Sequence, residues 1–103
     1  MSRLVRVCAV EALQPGMRRV VEIDPYEEVL VLNIDGTVYA ISNICAHAGA
    51  ALQRGNLQGE VLYCPLHQWG FDVSSGVCTH DPMLRARLYR VARRQGAWWL
   101  CLP

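Results

Sequence analysis

No lysine occurs among the 103 residues; all ten basic side chains are arginine. We attribute that usage to base composition rather than to function. Neither sign of charge is in excess, since nine acidic residues leave a formal net charge of +1, which argues against nucleic acid as a partner. No apolar run is long enough to span a bilayer, and Met1-Ser2-Arg3-Leu4-Val5-Arg6 is broken by charge with no cleavage signal after it. The expectation is a cytoplasmic chain without a membrane partner. A disulfide framework is missing as well: Cys8, Cys45, Cys64, Cys78 and Cys101 are odd in number. No repeat, linker or low-complexity tract divides the chain, so residues 1–103 are expected to form one domain with a single modest core.

What is present is concentrated between Cys45 and His67. Cys45-Ala46-His47 is followed, after sixteen residues, by Cys64-Pro65-Leu66-His67. A thiolate and an imidazole thus recur together, in the same order, in two short loops, which points to a metal centre. A zinc finger would ordinarily group its cysteines first, although a structural zinc site remains a rival for the same four residues. The alternating order lets one iron take both cysteines and a second iron both histidines.

Short strands and turns surround these loops. Leu4 to Val10 is rich in valine, Glu11-Ala12-Leu13 makes a helical turn, and Gln14-Pro15-Gly16 turns the chain. Arg18 to Ile23 reads as a strand stopped by Asp24-Pro25, with Glu27 and Glu28 as an acidic turn. Val29 to Ile34 and Thr37 to Ile41, joined by Asp35-Gly36, form a hairpin that delivers the chain to Asn43-Ile44-Cys45. Residues 48–58 lack a period and read as loop. Val61 to Tyr63 and Trp69 to Val73 are short strands, with Ser74-Ser75-Gly76 as a turn. Leu88 to Arg93 and Ala97 to Leu102 make a final hairpin through Arg94-Gln95-Gly96. The spacing predicts an all-β fold, an antiparallel sandwich or small barrel, with a cluster-binding subdomain at about residues 43–83 inserted as two ligand loops.

Leu52 and Gly55 after the first loop, and Gly70-Phe71-Asp72, Ser75-Gly76 and Pro82 after the second, complete a pattern from about Ile41 to Val91 that resembles the Rieske-type ferredoxins. The resemblance implies one 2Fe-2S cluster held by Cys45, His47, Cys64 and His67. It also implies a one-electron carrier rather than an enzyme, working between an NAD(P)H-dependent flavin reductase and a terminal oxygenase of a ring-hydroxylating system. A proline-bearing loop around Pro82 would cover the cluster. Imidazoles on one iron make the cluster easier to reduce than an all-cysteine one, with His47 and His67 as the electron exit. The high-potential respiratory relatives add a disulfide between the loops and hydroxyl donors after the second histidine. Gly49, Ala50 and Leu66 cannot make the bridge, and Trp69 and Phe71 carry no hydroxyl, so a low potential is expected.

The small Rieske-like subunit of an assimilatory nitrite reductase is an alternative, because residues 76–82 resemble it too. A zinc-stabilised module without redox function is another. Cys8, Cys78 and Cys101 read as small buried hydrophobes and His80 as a surface residue. Trp69 is either a docking residue or an aromatic lid, and of Trp98 and Trp99 at most one enters a given core layer. The arginines at 85, 87, 90, 93 and 94 read as a half-exposed strand pair, with a basic docking face as the alternative.

Overall fold

A computed structural model describes residues 3–46 and 49–103. Nine strands follow in order: β1 Arg3–Ala9, β2 Arg18–Asp24, β3 Glu27–Ile34, β4 Thr37–Ser42, β5 Asn56–Gln58, β6 Val61–Tyr63, β7 Gly70–Asp72, β8 Leu88–Arg94 and β9 Ala97–Leu102. Single 3-10 turns occupy Val10–Ala12 and Leu52–Arg54. Six strands form one antiparallel sheet in the order β1-β9-β8-β4-β3-β2, and β5-β6-β7 form a second, three-stranded sheet. The edges of the large sheet curl toward each other, where the Arg3 guanidinium donates to the Ile23 carbonyl at 3.3 Å. This is the all-β, nearly closed architecture expected.

The apolar run at the centre of β3 has a structural cause. Val29 and Val31 face a core with Cys8, Leu13, Ala40, Leu100 and Leu102. Leu30 and Leu32 face a second core with Ile41, Cys45, Leu52, Leu62, Cys64 and Phe71, among others. A strand buried on both faces has no polar side to alternate with. One strand therefore floors the barrel on one side and the ligand-loop region on the other.

Turn chemistry fixes the hairpins. Asp35 and Gly36 both adopt positive φ, +52° and +97°, as do Gln95 and Gly96 at +51° and +71°, the backbone that a two-residue turn between twisted strands demands. The Asn33 carboxamide supports the first, accepting from the Gly36 amide and donating to the Leu13 carbonyl, each at 2.8 Å.

Three sequence expectations need correction. Glu27 and Glu28 are not a turn but the first residues of β3; the turn is Pro25-Tyr26, closed by the Tyr26 amide donating to the Asp24 carboxylate. The stretch 48–58 is not all loop, since it contains the 3-10 turn and β5. Cys101 is only half-buried, unlike Cys8 and Cys78, because it lies on the outer face of β9 between Leu4 and Arg90. Trp98 packs into the barrel core with its indole N–H unpartnered. Trp99, on the other face, donates to the Arg94 carbonyl at 3.1 Å.

Candidate metal centre

The two cysteine loops are built alike. The Cys45 amide donates to the Ala50 carbonyl and the Gly49 amide to the Cys45 carbonyl, both at 2.8 Å. Nineteen residues on, the Cys64 amide donates to the Trp69 carbonyl at 2.8 Å and the Gln68 amide to the Cys64 carbonyl at 2.9 Å. The residue four beyond each cysteine has positive φ, +71° at Gly49 and +60° at Gln68. Each loop is thus one tight turn opened by a cysteine and closed by a left-handed residue. The first hangs from the end of β4 and the second from the end of β6.

Both cysteines are buried, Cys45 at 2% and Cys64 at 0% exposure, within the same core. Neither is in a disulfide. His67 stands exposed in its turn. His47 lies outside the described residues. Among the described residues, no group of three or more His, Cys, Asp or Glu side chains gathers as around a single metal ion. The donors described are chemically suited to an iron-sulfur cluster: two thiols shielded from water by Leu52, Leu62 and Phe71, and an imidazole at the surface.

Glycines set how the loops meet. A Cβ on Gly55 would overlap the Tyr63 carbonyl oxygen, so the segment leaving the first loop packs backbone to backbone on the residue preceding Cys64. A Cβ on Gly70 would meet Thr79 Oγ1 and Val61 Cγ1, each at 2.7 Å. A Cβ on Gly76 would lie 2.6 Å from the Ala86 carbonyl oxygen. These close approaches supply the physical reason for three glycines that the sequence pattern only marked.

Side chains brace the roots of the first loop. The Ser42 hydroxyl donates to Glu27 Oε1 at 2.9 Å and the Tyr89 hydroxyl to Glu27 Oε2 at 2.8 Å. Burial, then this carboxylate, pushes the Tyr89 phenol above its ordinary 10.0. The adjacent Glu28 meets Asn43, whose amide nitrogen donates to Glu28 Oε1 at 3.0 Å. Arg18 Nη1 donates to the carbonyls of Gln53 and Gly55, both at 2.8 Å. Sequence reasoning missed Arg18, Glu27 and Glu28 because partners so distant along the chain leave no local pattern.

Beyond the second loop, Trp69 is half-buried against the core and stacks on His80, ring centroids 5.4 Å apart and planes 6° from parallel. His80 is exposed, as expected, and its Nδ1 faces the Gly70 amide at 3.4 Å. Asp81 turns the chain by accepting the Met83 amide at 3.0 Å, leaving Pro82 and Met83 exposed.

Comparison with known proteins agrees with this geometry. Residues 3–93 match the model of the Rieske [2Fe-2S] domain. The ferredoxin component of the naphthalene 1,2-dioxygenase/salicylate 5-hydroxylase systems of a Ralstonia species is 36% identical over 59 residues, 57% of each chain. The chain thus aligns with little more than half the length of that relative. The ferredoxin of carbazole 1,9a-dioxygenase from Nocardioides aromaticivorans superposes with a TM-score of 0.83 at 37% identity, covering 97% of both chains. A chain in the complex of reduced oxygenase and oxidized ferredoxin of carbazole 1,9a-dioxygenase superposes at 0.86 with 28% identity, over 94% of this chain and 91% of that one. A proposed NADH-dependent nitrite reductase small subunit from Mycobacterium tuberculosis shares the fold, at 0.85 and 24% identity.

Proposed function

This chain belongs to the Rieske [2Fe-2S] domain family, and from that premise we propose that it is the ferredoxin component of a ring-hydroxylating oxygenase system. It passes single electrons from a flavin-dependent, NAD(P)H-oxidising reductase to a terminal oxygenase. The observation that carries the reading is the pair of equivalent turns, each burying a cysteine in one apolar core. No helix among the described residues is long and apolar enough to cross a membrane.

In this reading Cys45, His47, Cys64 and His67 would hold the cluster, the cysteines on one iron and the histidines on the other. When bound, the cluster supplies reversible one-electron exchange. Phe71, Leu52 and Leu62 keep water from the thiolates, and exposed His67 offers the short path out to a partner. The whole chain acts as one domain, with residues 43–83 as its ligand-loop region, in the cytoplasm. The turn at Asp81–Leu84 would be the proline-bearing loop that covers the cluster.

The loops share no disulfide, and Trp69 and Phe71 carry no hydroxyl to direct at a cluster sulfur; both support a low potential, since such hydroxyl donors stabilise the added electron. Voltammetry tests this: the account expects a value in the lower part of the roughly −150 to +300 mV Rieske range. A value near the upper limit contradicts it. Reduction by NADH and a flavin-dependent reductase, followed by reoxidation by a terminal oxygenase, tests the partners. If the reduced protein delivers electrons only to a nitrite reductase, the alternative signalled by residues 76–82 holds instead.

A further inference from the structure

Asn43 is a fully buried polar residue, at 0% exposure, and it sits two positions ahead of Cys45. Three of the four hydrogen-bonding directions of its side chain are engaged. Its amide nitrogen donates to Glu28 Oε1 at 3.0 Å and to Gln53 Oε1 at 2.8 Å, while its side-chain oxygen accepts the Gln53 amide at 2.8 Å. Its backbone adds two more bonds, N–H to the Glu28 carbonyl at 2.8 Å and C=O from the Leu52 amide at 2.7 Å. Glu28 belongs to β3, and Gln53 to the 3-10 turn beyond the loop. One side chain therefore spans the mouth of the first cysteine loop and fastens both its ends to the strand beneath.

The connection continues to the other loop. Arg18 fixes the carbonyls of Gln53 and Gly55, and Gly55 packs on the Tyr63 carbonyl, one residue before Cys64. We infer that Asn43, clasped between Glu28 and Gln53, is a positioning residue that sets the Cys45 turn against the Cys64 turn and so governs how firmly and in what geometry the pair holds its cluster. This inference rests on the Rieske reading for the identity of the cluster, and on the hydrogen bonds alone for the clasp.

Polarity makes the clasp testable. Asparagine supplies two N–H donors to two acceptors and one acceptor to an N–H. Aspartate is the same size but has no donor, and it would set a buried carboxylate against Glu28. The double substitution Asn43→Asp with Glu28→Gln restores the bond to position 28 from the other side at unchanged net charge, and a flip of the Gln53 carboxamide, whose nitrogen then donates, restores the other. Glu28→Gln alone keeps an acceptor in place and serves as the control.

The measurement is the rate of cluster loss under a chelator, followed by visible absorbance, together with the electron paramagnetic resonance line shape of the reduced protein. We expect Asn43→Asp to lose its cluster about tenfold faster or more, in line with groups that orient metal ligands, and to shift the line shape. The double variant should return to within about threefold of the natural protein and recover its line shape. An unaltered rate and spectrum in Asn43→Asp, or a double variant as labile as the single one, overturns the inference.

Should Asn43→Asp not fold, Gln53→Ala decides, because that side chain is exposed and its loss removes only one acceptor. Amide exchange at Cys45 and Gly49 should then accelerate about tenfold; unchanged exchange overturns the clasp. If the natural protein binds no iron, the electron-carrier reading fails at once, and the exchange experiment still judges the clasp.

Discussion

A methyl group on Gly55 would overlap the Tyr63 carbonyl oxygen, and a backbone atom cannot rotate aside as a side chain can. Gly55→Ala should therefore force the segment after the first loop away from the second, costing about 1–3 kcal/mol and lowering the yield of cluster-loaded protein. Urea unfolding with iron analysis checks both. Phe71 gives the opposite kind of test. Its ring is fully buried in the core that holds both cysteines. Phe71→Tyr introduces a hydroxyl there, and the account expects the reduction potential to rise through a hydrogen bond to sulfur. A stability loss of about 1–3 kcal/mol with no change in potential would mean that the hydroxyl finds no sulfur.

At the scale of the element, the turn leaving β7 is tied by one carboxylate. Asp72 Oδ1 accepts from the Ser74 hydroxyl at 2.6 Å, the Ser74 amide at 2.8 Å and the Ser75 amide at 3.2 Å. The Ser74 hydroxyl first, and the two amides after it, hold the Asp72 carboxyl below its ordinary 3.8. A depressed folded value means that the stabilisation is fully present above the ordinary aspartate range and is lost as the pH falls through the folded value. Asp72→Asn should therefore lower the urea midpoint at neutral pH and remove part of the acid-limb decline. A decline identical in both proteins would contradict that role.

The hairpin β3-β4 was legible in the sequence because Asp35-Gly36 has few other uses between two apolar runs. Cys45, His47, Cys64 and His67 stand out in the sequence because spacing carries ligand chemistry; of the three described, two lie in one core and the third at the surface. Glu27 and Glu28 read as a turn in the sequence because adjacent carboxylates after Pro25 look solvated. Only the register of β3 on β4 brings them beneath Ser42 and Asn43. The hydrogen bonds of Asn43 and Arg18 were illegible for the same reason: they join residues 10 to 37 positions apart, and tertiary packing alone brings such pairs together.

Across the molecule, the two sheets stand differently to the cysteine core. The six-stranded sheet has its own core around Val29, Val31 and Leu100, whereas β5-β6-β7 packs over the cysteines through Leu62 and Phe71. Removing the metal should loosen the small sheet first. In hydrogen exchange after iron chelation, the Leu62 and Phe71 amides, paired across β6 and β7, should lose protection while those of Val31 and Leu100 keep theirs. Uniform loss would show that the sheets unfold as one unit.

The central claim is that two equivalent cysteine turns and two histidines hold one mixed-ligand cluster. Electron paramagnetic resonance of the dithionite-reduced protein, with iron and acid-labile sulfide determined on the same sample, tests it most directly. The account predicts a rhombic signal of low average g, with two irons and two sulfides per chain, as a [2Fe-2S] centre requires. A colourless, silent sample containing zinc would contradict it and make the cysteine turns a structural site.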